Sequence, residues 1–165
     1  MNVSDVRNDF PTMRKGKGVY LDSAGQSLRP DRVIDAVMEY YTECPSCGGR
    51  SVHSMSTAVS VRTDETREAL AGFFGTDDPD CYIFTKNCTE GINTVAYGLD
   101  IKKGDVVVTT DTEHNSNHVP WLVLADERGV KRRFSVSKED GEFDMDSFLE
   151  QMCRDVRLVS VQHCT

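Results

Sequence analysis

The sequence predicts an α/β domain in three layers around a parallel sheet, with a helical N-terminal arm, and three observations carry that prediction. From Cys81 onward, short β-rich runs alternate with helical stretches. Each run leads into a helical stretch rather than a tight turn. A chain that returns in the same direction needs such a crossover, so the strands are expected to lie parallel. The 165 residues, 38% apolar and 28% charged, are enough for one core and lack the polar bias of a disordered chain.

Taken in order, residues 1–29 carry no strong period, and Gly16, Gly18 and Gly25 mark an extended segment. Pro30, Asp31 and Arg32 then place a proline in a first helical turn, with Val33, Ile34, Val37, Met38 and Tyr41 on one face. A helix is therefore expected over Pro30–Tyr41. Residues 44–56, rich in Gly, Ser and Cys, read as a loop. Ser56 or Thr57 is suited to cap a second helix, Ser56–Phe74, which ends at Gly75 and turns Val59, Leu70, Phe73 and Phe74 inward. Strands are expected at Tyr82–Thr85, Val106–Thr110, Lys131–Val136 and Arg157–Val161, and helices near 88–98, 117–127 and 144–153. The chain then divides into residues 1–55, an arm and helix with the loop that follows, and residues 56–165, the sheet-bearing domain.

A net charge of -8 repels phosphate backbones and anionic lipid, so nucleic acid and membrane are not expected partners. The start of the chain breaks every few residues with a charge and holds no signal-peptide core, which makes the cytoplasm the expected compartment. There the six cysteines read as reduced thiols or metal ligands. Cys44 and Cys47 have the two-residue gap that lets two thiolates reach one metal or form a redox pair; the other reading is an ordinary loop.

In an open parallel sheet, ligands bind where loops leave the carboxyl ends of the strands. Those loops hold 85–91, 110–115 and 162–165, with two of the four histidines. Asn87, with Glu90 three residues on, reads as a reciprocal helix cap; equally, the amides of Cys88 and Thr89, with the Thr89 hydroxyl, suit a phosphate at the positive end of a helix. His114 can stack on a flat ring or move a proton near neutral pH, or it is an inert loop histidine. His118 reads as a helix-start residue, His53 stays open between the two roles, and Arg50 is either a carboxylate clamp or solvated.

Together these segments resemble the class V aminotransferase family, in its cysteine desulfurase and selenocysteine lyase branch. The resemblance runs through Val19–Gly25, Arg50–His53, Thr89–Asn93, Glu113–Asn117 and Val119–Trp121. It implies the large-domain fold of the aspartate aminotransferase-like pyridoxal 5'-phosphate enzymes, here incomplete. It also implies that cofactor, with its phosphate on Cys88 and Thr89 and its ring under His114, and an amino-acid substrate near Ala24, Arg50 and His53. Such enzymes are homodimers that share their active sites. Relatives often carry Thr where Cys88 stands and a second histidine where Asn115 stands.

Relatives also continue past the segment that matches His163–Thr165 to an asparagine, an aspartate and the lysine that forms the Schiff base. Lys15, Lys17, Lys86, Lys102, Lys103, Lys131 and Lys138 all lie outside that lysine's Ser/Gly-His-Lys context. The resemblance therefore covers the N-terminal part of such an enzyme, with no catalytic residue assigned, and these residues alone are expected to be inactive. It also implies that the partners of Tyr82–Thr85 are late strands, so that this run lies at an unpaired edge. The rival reading is a non-catalytic interaction subunit or decayed half-enzyme; a weaker third is a metal-binding module at Cys44 and Cys47.

Overall fold

A computed structural model describes residues 2–16 and 18–163. Lys17, Cys164 and Thr165, each named above, lie outside the described residues. The chain forms two compact units, residues 1–83 and 84–165.

The first unit is helical. Where an extended segment was expected, the chain forms α1 (Val3–Asn8) and α2 (Pro11–Arg14). Local chemistry explains both. The Asn2 side chain accepts the Ser4 amide, and Pro11 sits at the first position of α2, where its missing N–H removes nothing. Arg14 pairs with Asp31 and thereby ties α2 to α3 (Asp31–Glu43). Pro30 caps α3 rather than entering its first turn. The apolar face predicted for α3 exists but is uncovered, with Val37 50% and Tyr41 67% exposed.

The long helix α4 (Ser54–Phe74) starts two residues before expectation, because His53 caps it in place of Ser56 or Thr57. Ser56 is instead buried inside the helix and donates its hydroxyl to the Cys47 carbonyl at 2.6 Å. Val59 and Leu70 are half-buried, whereas Phe73 and Phe74 are 81% and 64% exposed, against the inward placement predicted. They pack on each other edge to face, and Phe74 stacks on Tyr82.

A short 3-10 turn, Pro79–Cys81, closes this unit. The strand expected at Tyr82–Thr85 does not form. Its composition suits a strand, but a strand exists only by pairing, and no other described segment pairs with it.

The second unit contains α5 (Cys88–Gly98), β1 (Val106–Thr110), α6 (Asn115–Arg128), β2 (Lys131–Ser135), α7 (Met145–Gln151) and β3 (Val156–Val159). These three strands are parallel, as predicted from the alternation of strand and helix, and they lie in the order β2-β1-β3. Every residue of β1 is buried, as befits a central strand covered on both faces. Its register with β3 shifts between Val106 and Val107. Ala96, Ile101, Val107, Trp121, Leu124 and Val130 form the core, flanked by Ile92 and Leu158. Pro120 is buried inside α6.

Candidate functional site

The first wall of the candidate site is the start of α5. Asn87 stands extended before it, and its side-chain oxygen accepts the Glu90 amide at 2.9 Å. Glu90 reaches back, but its carboxylate accepts the Lys86 amide at 2.6 Å, one residue upstream of the reciprocal partner predicted. The amides of Cys88 and Thr89 are thus left among the first-turn donors that a helix cannot satisfy from within. They point toward its positive end, where negative charge is favoured.

The second wall is the start of α6. His114 is its cap, with Nδ1 accepting the Ser116 amide at 3.1 Å and standing 2.9 Å from the Ser116 hydroxyl. An amide N–H can only donate, so in the neutral ring the proton sits on Nε2. His118 lies in the first turn of the same helix, stacks on Phe134, and faces the guanidinium of Arg132. Burial pushes the Arg132 guanidinium below its ordinary value.

A cavity of about 320 Å³ brings the two walls together, lined by Cys88, Ile92, Glu113, His114, Asn117 and Gln162 among others. Cys88 and His114 therefore share one site, and Thr89 is the next residue of α5. A second cavity of about 320 Å³ lies at the carboxyl ends of β1 and β2, lined by Thr110, Thr112, Ser137, Phe143, Gln162 and His163. Beside it, Asp111 accepts the Ser137 amide at 3.1 Å and the Ser137 hydroxyl at 2.7 Å, and these bonds hold its carboxyl below the usual carboxylate range.

Sequence reasoning missed a polar network beneath the first cavity. Glu113 accepts the Thr110 hydroxyl at 2.7 Å and the Gln162 amide at 3.0 Å through one oxygen, and the Asn117 side-chain amide at 2.8 Å through the other. The Asn117 oxygen in turn accepts the Trp121 indole N–H at 3.1 Å and the Ser160 hydroxyl. Asn117 and Trp121, four apart in α6, share one helix face, and that spacing is the part of the network the sequence could have shown; Glu113 stands just ahead of the His114 cap, outside the helix.

The remaining predicted residues belong to the first unit. Ala24 lies in an exposed turn closed by the Gln26 amide on the Asp22 carbonyl at 3.0 Å, and Arg50 is exposed. His53 caps α4, with Nδ1 accepting the Ser56 amide and Nε2 facing the Ser46 hydroxyl, each at 3.4 Å. Cys44 and Cys47 are free thiols, and no group of three or more metal-ligating side chains occurs among the described residues.

The Aminotransferase class-V family model matches residues 19–165. A probable cysteine desulfurase of Methanothermobacter thermautotrophicus is 40% identical over 163 residues, which cover 99% of this chain and 40% of that protein. Among solved structures, the apo cysteine desulfurase of Thermococcus onnurineus NA1 superposes with a TM-score of 0.88 at 34% identity, covering 100% of this chain and 41% of that one. A C-DES variant with glycine covalently linked to its PLP cofactor is similar at 25% identity and a TM-score of 0.80, covering 95% of this chain and 40% of that one. The chain thus spans about 40% of the length of the curated relative from Methanothermobacter.

Proposed function

The chain belongs to the class V aminotransferase family, and we propose that it forms the N-terminal, cofactor-facing portion of an enzyme that acts on an amino acid, removing sulfur or selenium or transferring the amino group. Enzymes of this family depend on pyridoxal 5'-phosphate. The observation that carries the reading is the cavity with Cys88 and His114 on its wall.

The residues present fit that cofactor. The Cys88 and Thr89 amides, with the Thr89 hydroxyl, form a donor set for a phosphate at a helix N-terminus, and the exposed His114 ring offers a flat face. When bound, the cofactor supplies an electron sink for charge that develops on the substrate. His114, anchored through Nδ1, would offer its ring face to the bound cofactor and leave Nε2 free of that anchoring bond. Arg50 provides a two-pronged clamp for the substrate carboxylate, with Ala24 and His53 beside the substrate. A homodimeric working form in the cytoplasm completes the proposal.

None of the seven lysines lies in the family's lysine motif, so these 165 residues are proposed to bind the cofactor without turnover. The test is a titration of the chain with pyridoxal phosphate, borohydride reduction and mapping of labelled lysines, and an assay of alanine and sulfide release from cysteine. Saturable binding, weakened about tenfold by Thr89→Ala and competed by inorganic phosphate, is the expected result. Absence of saturable binding overturns the reading of the site. Stoichiometric labelling of one lysine together with turnover overturns the reading that these residues are inactive alone.

A further inference from the structure

Trp121 determines the direction of every hydrogen bond in the network beneath the cavity. Its indole nitrogen can only donate, so the Asn117 atom 3.1 Å away is the amide oxygen. The other end of that side chain is then NH2, and it donates to Glu113 at 2.8 Å. The Gln162 backbone amide also can only donate, at 3.0 Å. Glu113 therefore accepts an obligate donor through each of its two oxygens, with the Thr110 hydroxyl 2.7 Å from one of them. Its chain neighbour is His114, the cap of α6, while Ser160 and Gln162 follow β3.

We propose that Glu113 is a positioning residue, whose carboxylate ties the exit of β1, the first turn of α6 and the exit of β3 together beneath the cavity and so sets where His114 stands. The claim rests on the proposed cofactor site for its functional meaning. The bonds that define it stand without that reading.

The polarity of the network makes the proposal testable by an isosteric exchange. In Glu113→Gln the new NH2 must face either the Asn117 NH2 or the Gln162 amide, donor against donor, and Asn117 cannot turn over because Trp121 holds its oxygen. In Asn117→Asp two carboxylates face each other. When Glu113→Gln and Asn117→Asp are combined, the new side-chain amide donates to the new carboxylate, which still accepts from Trp121 and Ser160. Every bond is then restored with one polarity reversed.

The experiment compares the wild-type 165-residue chain, both single variants and the double variant. The readouts are the thermal midpoint, local hydrogen exchange of the Ser116 amide that His114 accepts, and affinity for pyridoxal phosphate well below the midpoint. Each single variant is expected to lower the midpoint by about 3–8 °C. Each should also speed Ser116 exchange and weaken cofactor binding about tenfold. The double variant should return all three close to wild type. Additive losses in the double variant overturn the assigned polarity. A lowered midpoint with unchanged Ser116 exchange overturns the positioning of His114. Failure of the wild-type chain to bind pyridoxal phosphate overturns the proposed function instead, while midpoint and Ser116 exchange still decide the inference.

Discussion

At the scale of single residues, polar side chains here act chiefly on backbone amides at the ends of elements. Asp111 is the strongest case, since three bonds from Ser137 hold its carboxylate charged and fasten the exit of β1 to the segment after β2. Its pKa is lowered in the folded chain relative to the ordinary 3.8, so the stability it contributes is complete above that value and is lost as pH falls through the folded value below it. Asp111→Asn is expected to cost about 1–2 kcal/mol at neutral pH, because one acceptor oxygen remains. Urea unfolding of wild type and variant should converge as the medium is acidified below the ordinary value. A gap that persists there would show that the loss is steric. His53 and His114 teach the companion lesson. Sequence marked both as candidates for chemistry, and both turned out to cap helices through Nδ1, a role that depends on backbone angles no spacing reveals. Asn87 was legible as a cap because its residue type and the Glu90 spacing carry the signature by themselves, and Asn87→Ala is expected to cost about 1 kcal/mol in chemical unfolding.

At the scale of elements, what was legible depended on whether the cause is local. α5 spans the expected 88–98, and the Val-rich β1 was evident from composition. Tyr82–Thr85 was not, since pairing is a contact with distant chain. The periodicity of α3 likewise identifies a helix but says nothing of what covers Val33, Ile34 and Val37, all of them exposed. Helix ends allow a sharper test. Gly75 closes α4 and Gly129 closes α6, both left-handed with φ of 73° and 68°. An added Cβ at Gly75 meets nothing within 4 Å, whereas at Gly129 it lies 3.0 Å from Cγ of Lys103. Gly75→Ala should therefore cost about 1–2 kcal/mol from backbone strain alone. Gly129→Ala should cost more, unless Lys103 moves aside. Equal losses in denaturant unfolding would mean that Lys103 gives way freely.

At the scale of the whole molecule, burial is divided very unevenly. Among the described residues of 1–83 only Ser56 and Ala71 are buried, while 84–165 holds Val106, Val107, Val108, Trp121, Leu124 and the rest of the core. The strand-exit rule explains part of the candidate site in this second unit: His114 follows β1 and Gln162 follows β3, and these exits meet at the cavity, whereas Cys88 reaches it from 82–85, which forms no strand. The Glu113 network beneath them had no such rule, because its partners are 43 to 49 residues apart where Ser160 meets Asn117 and Gln162 meets Glu113. Resistance to opening follows buried apolar contact, so the two units should not exchange amide hydrogens alike. The amides of Val107, Val108 and Thr109, in the buried central strand, should be the slowest in the chain, and those of α1 to α3 should exchange by local opening orders of magnitude sooner. Substitution separates the same two regimes. Leu124→Ala removes a side chain that is 0% exposed and is expected to cost about 2–5 kcal/mol and to speed exchange throughout β1. Val37→Ala, at a position 50% exposed, should change stability by about 0.5 kcal/mol or less and leave β1 exchange untouched. If Val37→Ala speeds exchange in β1 as Leu124→Ala does, the units open as one body and the uneven burial does not govern stability.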